Sequence, residues 1–201
     1  MGIKSNRDNQ DDTISARIVI VSGSPGTGKT SISKILSENS VYNRSVHIHT
    51  DDFYQYIRKG YISPWQNDSG NQNESVIEAV AASAKRFCKG GYEVFVDGVI
   101  GPWFLEPWIK IADEGVDVRY IVLRPNVQTT VSRAAKREQR EVFPFDDKIT
   151  SELWYSLADW GSYESVSYTH LDVYKRQSKA WSGTRMVIKL SATPDVERAV
   201  S

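Results

Sequence analysis

An α/β fold with a parallel sheet covered on both faces is predicted by three observations. Apolar runs alternate with stretches of helical spacing, which is the pattern of repeated strand-helix units. The runs are rich in β-branched residues, and turn residues close them. A glycine-rich segment, GSPGTGKT (23–30), stands between the first run and the first helical stretch. The 201 residues fit one domain of ordinary size.

The elements follow in order. RIVIVSG (17–23) is a β-branched run cut by glycine, hence the first strand. TSISKILSE (30–38) places Ile32, Ile35 and Leu36 on one helical face. SVHIHT (45–50) is the second strand, followed by a short helix suggested by FYQYIRKG. From Asn73, the positions Val76, Ile77, Val80, Ala81, Ala84, Phe87 and Cys88 keep helical spacing up to the Gly90-Gly91 stop. YEVFVDG (92–98) and VRYIVLRP (118–125) are the third and fourth strands. VQTTVSRAAKREQRE (127–141) is a charged helix, and Asp146 or Asp147 caps another through Leu153, Trp154 and Leu157. RMVIKLSATPDVERAV then reads as a strand, a turn and a helix start, while SKAWSGT before it has no assignment.

VSYTHLDVYKRQ (166–177) fits nothing around it. It resembles the translation of two inverted copies of the transposon end used to fragment DNA for sequencing. That resemblance makes the twelve residues an insert foreign to the gene, the alternative being a natural polar loop. His170, Asp172, Lys175 and Arg176 therefore receive no functional weight.

Twenty-five basic residues balance 25 acidic ones, so no general field recruits nucleic acid or an anionic membrane, and phosphate binding must be local. The single Cys88 cannot form an internal disulfide, and no apolar run approaches the roughly 20 residues needed to span a bilayer. The polar opening MGIKSNRDNQDDT lacks the apolar middle of a secretory signal and reads as a disordered lead, so the expected location is the cytoplasm.

GSPGTGKT matches G-x-x-x-x-G-K-[ST], with the strand before it and the amphipathic helix after it that the motif requires. Gly23, Gly26 and Gly28 let the backbone curl so that several N–H groups of the stretch Gly23, Ser24, Pro25, Gly26, Thr27 and Gly28 converge on phosphate oxygens, Pro25 shaping the turn without an N–H of its own, and the helix adds its positive end. Lys29 reaches the β- and γ-phosphates, and the Thr30 hydroxyl is placed for Mg²⁺. The alternative is a glycine-rich turn of no function; the flanks favour a nucleoside triphosphate, ATP. Asp97, closing the third strand beside Gly98, can hold Mg²⁺ through water or can cap a turn.

Asp51 and Asp52 stand together where the second strand ends. Unit charges 4 Å apart at an effective dielectric of 20 interact by about 4 kcal/mol, so a carboxylate beside a triphosphate needs a cation or a transferable proton. Adjacent strand residues face opposite ways, which divides the pair. Asp51 is assigned to take the proton from, or to orient, an acceptor hydroxyl; Asp52 is assigned as helix cap or supporting residue, and in the alternative both merely cap.

The set GSPGTGKT, TDDFY, VDG and VLRP followed by an arginine-bearing helix resembles the P-loop small-molecule kinases, among them chloramphenicol phosphotransferase, shikimate kinase, gluconate kinase and uncharacterised AAA-type ATP-binding relatives. DDFYQYIRKGYISPW and VDGVIGPWFLEPW carry the resemblance to the last group, and it spans about residues 16–165. It implies a five-stranded parallel sheet in order 2-3-1-4-5, Asp51 at the acceptor site, Asp97 in the Walker B position and a helical lid. VDG continues as VIGPW, without the arginine that follows the comparable Asp-Gly in adenylate kinases, which argues against a nucleoside monophosphate acceptor. The expected organisation is a lead (1–14), a P-loop kinase domain (15–165), the insert (166–177) and a tail (178–201) containing the last strand and the start of a helix.

Arg133 and Arg137 are four apart and share a helix face, as a pair closing over polyphosphate needs; alternatively the face is solvated and Arg137 pairs with Glu141. Tyr61, Trp65, Trp103, Phe104 and Trp108 follow the aspartates and could wall a pocket for a flat or partly apolar alcohol, core packing being the alternative for each. His47 and His49 alternate on a strand without a third ligand for zinc and are assigned to packing. The expected activity is transfer of the ATP γ-phosphate to a small-molecule hydroxyl with Mg²⁺, without nucleic acid or membrane partners. A hydrolysing ATP switch, or an ATP-binding module without acceptor chemistry, are the alternatives.

Overall fold

The computed structural model describes residues 16–138, 147–157 and 183–190. In chain order the elements are β1 (Arg17–Ser22), α1 (Lys29–Glu38), β2 (Ser45–His49), α2 (Thr50–Gln55), α3 (Gly70–Lys89), β3 (Glu93–Gly98), α4 (Glu106–Asp113), β4 (Asp117–Pro125), α5 (Val127–Glu138), α6 (Asp147–Ser156) and β5 (Gly183–Leu190). The lead, the insert and residues 178–182 and 191–201 of the tail lie outside the described residues. No described helix is long and apolar enough to cross a membrane.

Four strands run parallel in the order β2-β3-β1-β4, with His49 beside Asp97 and Ser22 beside both Gly98 and Val122. The parallel sheet thus has four strands, not five. β5 lies against β4 but antiparallel, Gly183 opposite Pro125 and Leu190 opposite Val118. Trp154 of α6 donates its indole N–H to the Pro125 carbonyl at 2.9 Å, which anchors α6 at the carboxyl end of β4. At the edge of a sheet an antiparallel strand extends the ladder as well as a parallel one does, and β5 takes the edge beside β4.

The sheet buries both faces. Ile18, Ile20, Val94, Val96, Val118, Tyr120 and Val122 pack with Val76, Ile77, Val80, Ala81 and Ala84 of α3 and with Trp108 and Ile111 of α4. On the other face Val19, Val21, Phe95 and Leu123 meet Ile32 and Leu36 of α1. Ile35, expected on that stripe, is exposed while Ser33 is buried, because the helix is rotated toward the smaller residue. α4 was not anticipated, its start being hidden among turn residues. Gly101, Pro102 and Pro107 punctuate that segment, but Pro107 occupies the first helical turn, where a missing N–H costs nothing.

At the floor of the sheet the buried Glu93 accepts from Arg17 Nε at 2.5 Å and also from Ser40, tying β3 to β1 and to the chain after α1. At the carboxyl ends, Gly98 belongs to β3 and leaves no room for a side chain: a Cβ there would collide with Thr50. This contact seats the start of α2 against the end of β3. Replacing Gly98 by Ala is expected to lower stability by about 1–3 kcal/mol in urea unfolding, with an unchanged m-value.

Candidate functional site

Ligands of open parallel sheets sit outside the carboxyl ends of the strands, and the segment after β1 turns there. Ser22 ends β1 by donating to the Ile100 carbonyl at 2.7 Å and accepting from the Ile100 N–H at 3.1 Å, while Tyr120 donates to the same carbonyl. The chain then bends through Gly23, Gly26 and Gly28, at φ 154°, 79° and 88°. Gly26 cannot be replaced without a shift for a second reason. A Cβ would strike the Thr130 carbonyl and come within 2.8 Å of the Ala134 N–H group's nitrogen, so α5 rests directly on the loop.

The loop is closed on itself. The Ser24 carbonyl accepts from Thr27 Oγ1 at 2.8 Å and from Lys29 Nζ at 3.1 Å. The Ser24 hydroxyl is buried with no partner among the described residues, a polar atom left over inside the curl. α1 begins at Lys29 with no side chain capping it, so its first N–H groups face the loop. Curled backbone, a spare hydroxyl, a lysine and a helix start form a donor set that fits phosphate oxygens.

Beside it, Thr30 Oγ1 donates to Asp97 Oδ2 at 2.6 Å. Asp97 is fully buried in β3, so it does not cap a turn. Burial works to raise its pKa, but the hydrogen bonds from His47 and Thr30, with the charge of both imidazoles, outweigh it and hold the carboxyl below its ordinary value. An ionised carboxylate next to a hydroxyl is an oxygen set that fits a hard divalent cation with water and phosphate as its other ligands.

The two aspartates do not sit on the strand. Thr50, Asp51 and Asp52 make the first turn of α2, and His49 is the residue before it, with no side chain closing the helix end. Asp52 therefore is not the cap; both carboxylates lie where the helix dipole favours negative charge. They remain divided, since successive helical residues diverge by about 100°. Asp51 is 59% exposed, and its Oδ2 lies 3.5 Å from His49 Nε2. The same nitrogen is 3.8 Å from Asp97 Oδ2, and His49 Nδ1 is 3.5 Å from Asp52. One imidazole thus connects the two aspartates of α2 to the carboxylate beside Thr30.

Both histidines were assigned to packing from the sequence; their contacts cross from β2 to β3, fifty residues on, and only the strand order brings them into view. The aromatic residues split. Trp108 is in the core, Trp103 is exposed and lies over the backbone of Gly101, and Phe104 packs against the core. Tyr54 and Tyr61 have raised pKa values, burial first and the Asp51 charge in support, so both hydroxyls stay protonated. Tyr54 donates to Asn73 Oδ1 at 3.1 Å, and Gln72 holds Ile62 through both its N–H and its carbonyl, so the segment after α2 is fastened to α3. Arg133 lies on α5 next to Ala134, on the part of that helix that rests on Gly26. Arg137 is one turn further along the same helix, Arg140 and Glu141 lie outside the described residues, and no lid is described.

A family model described as an AAA domain matches residues 19–154. No curated protein matches the chain. Among solved structures, a chain of the Pnkp1/Rnl/Hen1 RNA repair complex aligns with a TM-score of 0.58 at 18% identity, covering 89% of this chain and 50% of that one. A gluconokinase from Sinorhizobium meliloti 1021 aligns at 0.50 and 18%, covering 72% and 76%. A sugar kinase from Janibacter sp. HTCC2649 aligns at 0.51 and 15%, covering 71% and 78%. The chain spans about half the length of the first of these. At such identities the likeness is one of fold.

Gly26→Ala is expected to push α5 from the loop. Thermal melting should then show a lower midpoint, and a rise in midpoint on adding ATP, expected for the wild type, should be absent from the variant.

Proposed function

The chain belongs to the AAA-domain family, with the fold of the P-loop kinases, and from that premise we propose that it is an ATP-dependent phosphotransferase acting on a hydroxyl of a small molecule. The observation that carries the reading is the position of Asp51, which shares His49 with the carboxylate that Thr30 contacts. Gripping ATP alone does not call for an exposed carboxylate joined through one imidazole to the carboxylate beside Thr30.

In this reading the backbone from Gly23 to Gly28 and the start of α1 receive the phosphates, and Lys29 leaves the Ser24 carbonyl to reach the terminal phosphate groups. Mg²⁺, held by Thr30 and through water by Asp97, would offset the charge of the phosphate oxygens. Asp51 accepts the proton of the acceptor hydroxyl or aligns it, and its exposure leaves it open to a ligand arriving from solvent. Arg133, on the helix that rests on the loop, faces the charge that builds on the transferred group, with Arg137 beside it on the next turn. Tyr54 and Tyr61, close enough to feel the charge of Asp51, would border the acceptor side, where a planar or partly apolar alcohol would fit them.

The test is transfer of label from γ-labelled ATP to a panel of alcohols, with a hydroxyl-ended RNA as a separate arm because one similar structure is an RNA repair complex. Asp51→Asn is expected to reduce transfer at least 100-fold while ATP still binds. Hydrolysis that continues regardless of Asp51 would mark a switch instead, and binding with neither outcome a module without acceptor chemistry. Lys29→Ala should abolish turnover. Arg133→Ala is expected to lower kcat more than it raises KM for ATP.

A further inference from the structure

His47 and His49 sit two apart on β2 and so point to one side of the sheet, the side where Asp97 meets Thr30. His47 Nε2 is 2.6 Å from Asp97 Oδ1, as short as the bond from Thr30 to Oδ2. The carboxylate is therefore gripped at both oxygens, from β2 on one side and from α1 on the other. An ionised carboxylate only accepts, so Nε2 of His47 carries the proton. The His47 side chain is 21% exposed, at the rim of the site and not in either apolar core. An imidazole needed only to fill space would have no reason to spend its donor on a buried charge there.

We propose that His47 is a positioning residue for the cation that accompanies ATP: by holding Oδ1 it fixes the plane of Asp97 and leaves Oδ2, the oxygen on the Thr30 side, as the one that faces the cation's water. The inference rests on reading the loop as an ATP site. Its physical basis is that a carboxylate held by one bond can rotate about its last torsion, whereas one held at both oxygens cannot, and groups behind a metal ligand commonly alter metal affinity 10–100-fold. His49 cannot take over the task. Its Nε2 lies on the Oδ2 side at 3.8 Å, leaving Oδ1 to His47 alone among the contacts that Asp97 makes with the described histidines.

The test uses the full chain and measures ATP affinity by calorimetry twice, with Mg²⁺ and with a chelator. His47→Phe keeps a ring and loses the donor. It should bind ATP in chelator as the wild type does, and its gain in affinity from Mg²⁺ should fall about tenfold or more. His47→Gln, whose amide nitrogen can occupy the place of Nε2, should restore most of that gain, and His47→Asn, one carbon shorter, should not. The Gln and Asn pair decides the matter even if the Phe variant does not fold, with thermal melting reporting the fold of each. An undiminished Mg²⁺ gain in Phe or Asn overturns the inference, as does an equal loss with and without Mg²⁺, which would mean a structural role. A wild-type chain that binds no ATP at all would overturn the phosphate-site reading as well, so the two failures are told apart.

Discussion

One buried carboxylate organises this molecule. Asp97 has no solvent contact, yet its hydrogen bonds keep it ionised, and an unpaired charge in that position would cost several kcal/mol. Its partners arrive from two other elements: Thr30 from α1, and His47 and His49 from β2. Satisfying that charge therefore fixes how α1, β2 and β3 meet, and it fixes them at the end of the sheet where the glycine loop opens. Thr50 against Gly98 adds a steric lock at the same end. Buried charge and close packing together make the rigid frame on which the loop and the exposed Asp51 are mounted.

The contrast between the aspartates is one of solvent. Asp97 depends on hydrogen bonds because it is shut off from bulk solvent, while Asp51 stays in contact with water and needs no such network. Water also weakens repulsion between Asp51, Asp52 and anything anionic in the loop, since the interaction scales inversely with the effective dielectric. In the proposed reading a hydroxyl arriving at Asp51 would displace that water and strengthen each interaction as it does so. The protonated hydroxyls of Tyr54 and Tyr61, kept neutral by burial and by Asp51, add dipoles on that side without adding charge.

Much of the frame was legible in the sequence because it follows from local rules. β-branched runs gave β1 to β4, and the spacing of Val76 to Cys88 gave α3, since each buries a face whose period can be counted. The glycine loop was legible for the same reason: its positive φ angles need glycine at those positions, so composition betrays conformation. What was illegible depends on distant contacts. β5 runs antiparallel to β4, and no local pattern in either segment announces the direction of that pairing. Asp51 and Asp52 turned out to be helical because α2 starts at Thr50, one residue after the strand, and nothing local distinguishes a carboxylate at a strand end from one in a first helical turn. α4 had a readable signal in Trp108, Ile111 and Ala112, which fall at helical spacing, but the prolines drew attention to a turn.

The contact between Gly26 and α5 links the phosphate loop to the charged helix. With a backbone carbonyl and a backbone N–H of α5 lying where a Cβ would go, the two segments touch without side chains between them, and neither can move far alone. Packed interiors transmit small displacements because they have little free volume to absorb them. Filling the loop with phosphates would draw Lys29 from the Ser24 carbonyl and realign the peptide groups around Gly26, the surface that Thr130 and Ala134 lean on. The orientation of Arg133, the residue before Ala134, is then tied to the state of the loop by direct backbone contact. In the proposed reading an arginine so placed would need no separate sensor of ATP, for the helix that carries it rests on the loop that would hold the phosphates.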